Sequence, residues 1–520
     1  MSATRCQGPP TALRRSLTGR QIQMIALGGA LGTGLFLGSG MAFSLADPSV
    51  IVAYAIGAAL ALSLAYALAE MTVAHPQAGG FGALAHTYFG PWASFAQRWM
   101  YWVAQVVNVG GEVTAAGMYV RLWWPALPLW IPVAVFSILI VTINRASVRF
   151  FGEFEFWFAM VKIVAIVAFV LIGLAWITVG LPGGSPAGLA AWTEHGGFAS
   201  GGLTGLWLTM TVVTFGYMGT EAVAMTAAES RDPEHVIPRA TRGMVLRLAL
   251  CYLLTMFVIV TVVPRGASGG GSLADSPFVR LFDTAGVPGA VTVVNAVVLT
   301  AALSAMNTNL YVSTHTVYSL AQDGYAPRRL TDLTPGGVPR DALYFSLTGL
   351  ALAVVLCVLT PRSAFPLLVG LATFGALVTW LMIFATQWAF RRHRREAGLP
   401  STVIRLRAAR IIAPAAMLFV AGILVTLAFT EQFALVPLVG VPFFGLTLAA
   451  YAVLRRARTR CTARPPRTPA ETAEPAPRPP PPGRSATPRP APERGTAVAP
   501  HVSTALLTGQ VPQQLALPPP

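Results

Sequence analysis

The sequence predicts an all-α integral membrane protein of about twelve transmembrane helices. Three observations carry that prediction: overall apolarity, a series of apolar runs of similar length, and the sorting of arginine between their ends. Of the 520 residues 54% are hydrophobic and 11% charged, where a soluble domain carries ~25% charged residues. The formal net charge of +16 is no sign of nucleic-acid binding, because the arginines lie between apolar runs and in the C-terminal tail rather than on a basic folded domain. Four cysteines, Cys6, Cys251, Cys357 and Cys461, show no metal-ligand spacing and no disulfide framework. No metal and no cofactor are expected.

Runs long enough to span fall near 22–45, 50–73, 99–123, 129–147, 156–179, 201–225, 244–264, 287–316, 342–360, 364–389, 411–430 and 434–454. The first is longer than a signal-peptide core and opens a series of similar runs, so it reads as a retained span. If the N-terminus lies inside, 27 arginines flank the inner ends of the runs and only Arg121, Arg265, Arg280 and Arg362 the outer ends. One miscounted span would scramble that bias, so both termini are expected to be cytoplasmic. Residues 1–20 then form a cytoplasmic segment, 21–456 the membrane domain, and 457–520 a Pro-rich tail, with runs such as RPPPP from Arg478, expected to be disordered. The inward segment His75–Pro91 reads as a loop or as an interfacial or re-entrant piece, and Ser276–Phe282 as an external one.

Two runs are poor helices in their middles. The first contains GGALGTGLFLGSG from Gly28 to Gly40, with Gly32, Gly34 and Gly38 in close succession, and the sixth contains TFGYMGTE from Thr214 to Glu221, with Gly216 and Gly219. Interior glycine costs about 0.5–1 kcal/mol relative to alanine, and unpaired backbone in a bilayer is tolerated only where it lines a cavity or is buried in protein. Each cluster alone reads equally as helix packing, since Gly28–Gly32 and Gly34–Gly38 fit G-x-x-x-G. Their recurrence five spans apart points to inverted repeats, at about 21–180 and 200–390, with two extra helices at about 410–455 and a substrate site between the breaks.

Several motifs in order resemble the bacterial amino acid permeases of the amino acid, polyamine and organocation superfamily, in its amino acid transporter family. They are the glycine-rich first span, Glu70 followed by Pro76 and Gly79-Gly80-Phe81, FFGEFEFWFAMVK from Phe150, AAESRDPEHVIPRA from Ala227, SPFV from Ser276, LTAALSAMNTNLY from Leu299 and SLAQDGYAP from Ser319. The resemblance covers about Leu17 to Arg456. It implies a leucine-transporter-like fold in the bacterial cytoplasmic membrane, holding a zwitterionic amino acid between unwound parts of spans one and six. Backbone N–H groups around Gly32, Thr33 and Gly34 would receive its carboxylate, as a helix N-terminus favours an anion. Carbonyls near Phe215, Met218 and Gly219 would receive its ammonium, and Phe215 matches the occluding aromatic of the family or is a plain core residue.

Lys162 is the only lysine in the chain. An intramembrane ammonium is expensive, and the resemblance implies that it stands where sodium-coupled cousins hold sodium, which makes it the proton-coupling group. The alternative is a structural lysine snorkelling to the inner face. Glu112 and Glu221 are deep carboxylates that serve as proton relays or brace helices. Glu70, Glu153, Glu155 and Glu229, nearer the inner ends, are expected to pair with arginines. His315 stands where the family commonly has arginine, and Asp47 where relatives often have glycine.

The function so implied is a secondary active transporter that imports an amino acid, leaning to a neutral one, by proton symport. Its partners are that amino acid, the proton and the lipid bilayer, with the oligomeric state left open. An exchanger or a carrier of polyamines or cationic amino acids is the alternative within transporters. A channel should show a polar pore on several helices. A membrane enzyme needs clustered His, Cys or carboxylates, and the seven histidines show no such spacing.

Overall fold

The computed structural model describes residues 31–462 apart from 37, 76–79, 147, 181–185, 187, 190–191, 194–196, 222–232, 264–275, 287–288, 335–336, 361–362, 401, 403, 405, 407 and 431–432. The expected N-terminal segment, Gly28, Glu229, the start of the Ala227 motif and nearly all of the Pro-rich tail lie outside the described residues. Met1–Thr459 forms one compact unit, and Arg460–Pro520, described only to Thr462, a second.

Helix occupies each of the twelve apolar runs. In chain order these are α1 (Thr33–Phe36) and α2 (Gly38–Ala46) in the first run, then α3 (Val50–Ala74). A short helix α4 (Gly80–Phe89) precedes α5 (Pro91–Val120), α6 (Trp130–Ala146), α7 (Val148–Thr178), α8 (Gly202–Gly216) and α9 (Pro233–Val262). A second short helix, α10 (Pro277–Thr284), leads into α11 (Ala290–Gln322), α12 (Arg340–Ser346) and α13 (Thr348–Leu359), α14 (Ala364–Glu396), α15 (Ala409–Thr426) and α16 (Leu435–Thr462). Among the described residues there is no strand, only an isolated bridge between Leu333 and Pro339, and eight helical stretches are long and apolar enough to cross a membrane.

Both ambiguous segments resolve as helices. α4 begins at Gly80, whose φ of +56° is in the left-handed region, and is followed by Gly90, at φ +87°, where Pro91 opens α5. Its far end is tied back to the end of α3 by a 2.7 Å hydrogen bond between His75 Nε2 and the Tyr88 hydroxyl. Asp47 adopts φ +49°, a left-handed geometry that glycine takes without a Cβ clash. Its carboxylate accepts the Ser200 hydroxyl, which holds the turn in place of that freedom.

α5 is the centre of the unit: it is buried along nearly all its length and packs chiefly on α11 and α14. Its pairing with α11 is antiparallel, because Arg98 bonds Ser319 at one end (3.3 Å) and Asn295 bonds the Tyr119 carbonyl at the other (2.8 Å). Arg98, Tyr101, Gln105, Asn108 and Glu112 recur on α5 every three or four residues, which puts them on one face. Ser304, Thr308, Tyr311, His315 and Ser319 do the same on α11. All except half-buried His315 are buried, so a polar seam runs through an apolar bundle.

Candidate functional site

The two glycine-rich breaks meet. Leu31 and Gly32 form a bend, and helix begins again only at Thr33. α8 stops at Gly216, and the turn from Tyr217 to Glu221 passes through Gly219 at φ +94°, a conformation that favours glycine. A Cβ on Gly34 would lie 2.8 Å from Gly216 Cα and 3.3 Å from the Phe215 ring. Absence of a side chain at Gly34 is therefore what allows one broken span to touch the other. The packing and the break readings of that glycine describe the same contact.

Behind the second break, Tyr252 donates to the Gly216 carbonyl at 2.5 Å and Tyr217 to the Tyr54 carbonyl at 3.0 Å. The three rings pack with centroids 4.8 to 6.3 Å apart. Phe215 and Met218 are buried on the other side, in an apolar cluster with Val109, Val113, Leu303 and Met306.

Charged groups converge on the first break. Lys162 is fully buried, and its ammonium donates to the Leu31 carbonyl at 2.9 Å. It does not snorkel: it is the fifteenth residue of α7, about 21 Å along the helix axis. Glu112, 3% exposed, accepts the Thr33 amide on both carboxylate oxygens at 3.4 Å. It thus occupies one of the donors assigned from sequence to a substrate carboxylate, and a Cβ on Gly32 would meet its Oε1 at 2.5 Å. Glu155 and Glu112 are the carboxylates that act electrostatically on Lys162.

Glu221 belongs to the turn after α8. Its carboxylate accepts the Gly219 amide at 3.2 Å and the Trp380 indole N–H at 3.3 Å. These bonds tie the turn to α14.

Glu155 departs from expectation. Among the described residues it pairs with no arginine: it is fully buried and accepts the Ser304 hydroxyl and the Asn307 amide (3.3 Å), with Asn144 bonding Asn307 at 2.7 Å. Glu153 accepts the Trp157 indole at 3.2 Å. Glu70 does pair as expected, with Arg391 at 2.8 Å.

Both ends of the seam are closed. At the arginine-rich end, Arg98 is 2% exposed and binds Asp323, with Ser94 and Ser319 also accepting from it. His315 takes no part in that ion pair. Its Nδ1 lies 2.9 Å from the Tyr311 carbonyl and its ring 4.0 Å from the Tyr311 ring. At the arginine-poor end, α10 seats Phe278 between Phe36 (4.8 Å) and Phe169 (4.3 Å), and Ser276 bonds the Phe36 carbonyl at 3.3 Å.

Residues 21–455 match the family model described as amino acid permease. The chain belongs to the amino acid permease family. This permease is thus a multi-pass membrane transport protein of the family's twelve-span all-α fold, and not an enzyme. It is similar to the aromatic amino acid transport protein AroP of Escherichia coli O6:H1, 40% identical over 387 residues that cover 74% of this chain and 84% of the relative. AroP of Escherichia coli K12 is 39% identical over the same coverage. The uncharacterized amino acid permease YvbW of Bacillus subtilis 168 is 36% identical over 384 residues, 74% of this chain and 86% of the relative.

Of the residues singled out from sequence, the permease gathers Gly32, Thr33, Gly34, Glu112 and Lys162 at the first break and Phe215, Met218, Gly219 and Glu221 at the second. The polar set Glu155, Ser304, Asn307 and Asn144, the ion pair of Arg98 with Asp323, and Tyr252 were not singled out as site residues. For Ser304, Asn307 and Asp323 the signal was the polar spacing within LTAALSAMNTNLY and SLAQDGYAP. Among the described residues no group of His, Cys, Asp and Glu could hold a metal ion.

Proposed function

We propose that the permease imports an aromatic amino acid across the bacterial cytoplasmic membrane by proton symport, alternating access around the breaks in spans one and six. The observation that carries this reading is the joint occupation of the first break by Lys162 on the Leu31 carbonyl and Glu112 on the Thr33 amide. An incoming carboxylate needs the amides at Thr33 and Gly34 and displaces Glu112. A displaced carboxylate in a dry site either takes up a proton or moves against Lys162, so substrate binding and proton binding are linked through the same few atoms. The substrate ammonium lies toward the carbonyls of Phe215 and Met218, in the turn that Glu221 braces.

The names of the AroP relatives support an aromatic side chain, as does the apolar cluster of Phe215, Met218, Leu303 and Val109 packed beside the breaks. The arginine-rich end faces the cytoplasm on the positive-inside bias. In proteoliposomes with the interior one pH unit alkaline, one-to-one symport accumulates labelled phenylalanine up to about tenfold, since a factor of ten costs about 1.4 kcal/mol. Unlabelled tyrosine and tryptophan should compete, and arginine, spermidine and alanine should not. Uptake that merely equilibrates would identify a facilitator, and equal competition by arginine or spermidine would defeat the substrate assignment.

Arg98 and Asp323 form the inner closure in this reading. Breaking the pair with Arg98→Ala leaves the half-exposed Asp323 carboxylate (49% side-chain exposure) able to hydrate, so the fold should survive while the inner end opens more readily. Efflux of preloaded substrate should rise and the accumulation ratio fall several-fold, with partial recovery in Arg98→Lys. Unchanged efflux in Arg98→Ala would remove the pair from the gating role.

A further inference from the structure

A cleft opens at the arginine-rich end where α14 finishes and the chain turns toward α15. It holds about 350 Å³ and is lined, among the described residues, by five guanidiniums, Arg391, Arg392, Arg394, Arg395 and Arg410, with Glu70 the one carboxylate in its wall. Arg391 is committed to Glu70, and Arg392 to Glu396 at 2.8 Å. Arg394 gives one donor to the Pro400 carbonyl at 2.5 Å and stacks over Phe390, its Cζ 5.5 Å from the ring centroid. Five positive charges against two carboxylates leave the cleft three charges in excess.

The wall is held in shape. Glu70, at the end of α3, accepts Gln387 (3.2 Å), Arg391 (2.8–3.1 Å), the Thr402 hydroxyl (3.3 Å) and the Leu406 amide (3.3 Å). Arg391 donates onward to the Leu406 carbonyl at 2.8 Å. These bonds pin Thr402 and Leu406 across the ends of α3 and α14, so the guanidiniums are set around a fixed hollow. Guanidiniums gathered in that way repel one another until an oxyanion joins them, and phosphate suits their planar donors.

The rim decides which phosphate. Trp388, 48% exposed, lies one turn before Arg392, and Ile411, 72% exposed, directly follows Arg410. Leu399, 49% exposed, lines the cleft as well. An exposed indole and aliphatic side chains beside a cationic hollow match the boundary between headgroups and acyl chains, where basic pockets between spans take anionic headgroups. We propose that this cleft binds the phosphate headgroup of an anionic phospholipid, with Arg395 and Arg410 on the phosphate and the acyl chains along Trp388 and Ile411. The assignment is independent of substrate and of proton coupling.

The test uses the full chain in detergent. Its tryptophan-monitored melting is titrated with phosphatidylglycerol, with phosphatidylcholine and with inorganic phosphate, and bound lipids are counted by native mass spectrometry. Phosphatidylglycerol should raise the melting temperature saturably, with retained copies seen in the mass spectrum, while phosphatidylcholine and inorganic phosphate should not. At about 1 kcal/mol per basic residue at an anionic surface, Arg395→Gln with Arg410→Gln should raise the half-saturating concentration about tenfold or more. Arg328→Gln with Arg329→Gln, exposed at the same end outside the cleft, should leave it within about twofold. Melting of each variant in phosphatidylcholine alone reports that its fold is intact. Equal effects of the two lipids, or equal losses in the two double variants, overturn the site. Stabilisation by inorganic phosphate equal to that by lipid overturns the lipid as its occupant.

Discussion

Lys162→Ala is expected to reduce the accumulation ratio of substrate in a pH gradient to one. The ammonium is fully buried at the middle of α7, bonds the Leu31 carbonyl where span one breaks, and lies in the field of Glu155 and Glu112. Alanine removes both the ionisable group and the bond that orients the break. Removing one member of a buried charged set costs about 3–5 kcal/mol when the rest stay charged, a cost that Glu155 or Glu112 escapes by holding a proton permanently. Either way no proton is exchanged per cycle. Counterflow of labelled for unlabelled substrate, which needs no net proton movement, should persist at a reduced rate. That split is what separates loss of coupling from loss of fold. Accumulation in Lys162→Ala equal to that of the parent protein would falsify Lys162 as the coupling group.

Gly34→Ala is expected to weaken substrate binding by about tenfold to a hundredfold. Its added Cβ would lie 2.8 Å from Gly216 Cα and 3.3 Å from Gly216 N, and backbone atoms cannot swing aside as a side chain can. Overpacking of this kind costs about 1–3 kcal/mol, and a factor of ten corresponds to about 1.4 kcal/mol. The penalty falls on the contact between the two breaks, so it should appear in equilibrium binding of labelled substrate as well as in uptake. Gly111→Ala is the matched control: the same methyl on α5 meets nothing nearer than 3.8 Å. Equal binding by the Gly34 and Gly111 variants would show that the breaks need not touch.

The spans, their number and both breaks were readable because each depends on composition over twenty residues or on glycine at short range. What was misread depends on where a helix starts. The fifth apolar run begins near residue 156, since Arg149, Glu153 and Glu155 depress the local hydropathy, yet α7 starts at Val148. Those eight residues move Glu155 from the end of a span into its buried interior and Lys162 from the first third to the centre. Arg98, just before the third apolar run at 99–123, lies within a helix for the same reason, α5 starting at Pro91. The engagement of the Thr33 amide by Glu112 is a contact across 79 positions, and no local pattern announces it. Asp47 shows the reverse: a departure from the glycine of relatives became intelligible once its φ of +49° and the Ser200 hydrogen bond were seen.

The contact of Phe278 with both Phe36 and Phe169 has a mechanical consequence. Phe169 lies seven residues beyond Lys162, two turns and about 10 Å up α7, and Phe36 lies five beyond Leu31. Spans one and five are therefore joined by two rungs, an aromatic one above and the Lys162 to Leu31 bond below. Two rungs resist tilting, whereas one acts as a pivot. When Lys162 gives up its proton in the proposed cycle, the lower rung weakens from a charge-assisted hydrogen bond to an ordinary one. Span one is then freer to rock about Phe278, its lower half swinging while its upper half stays sealed.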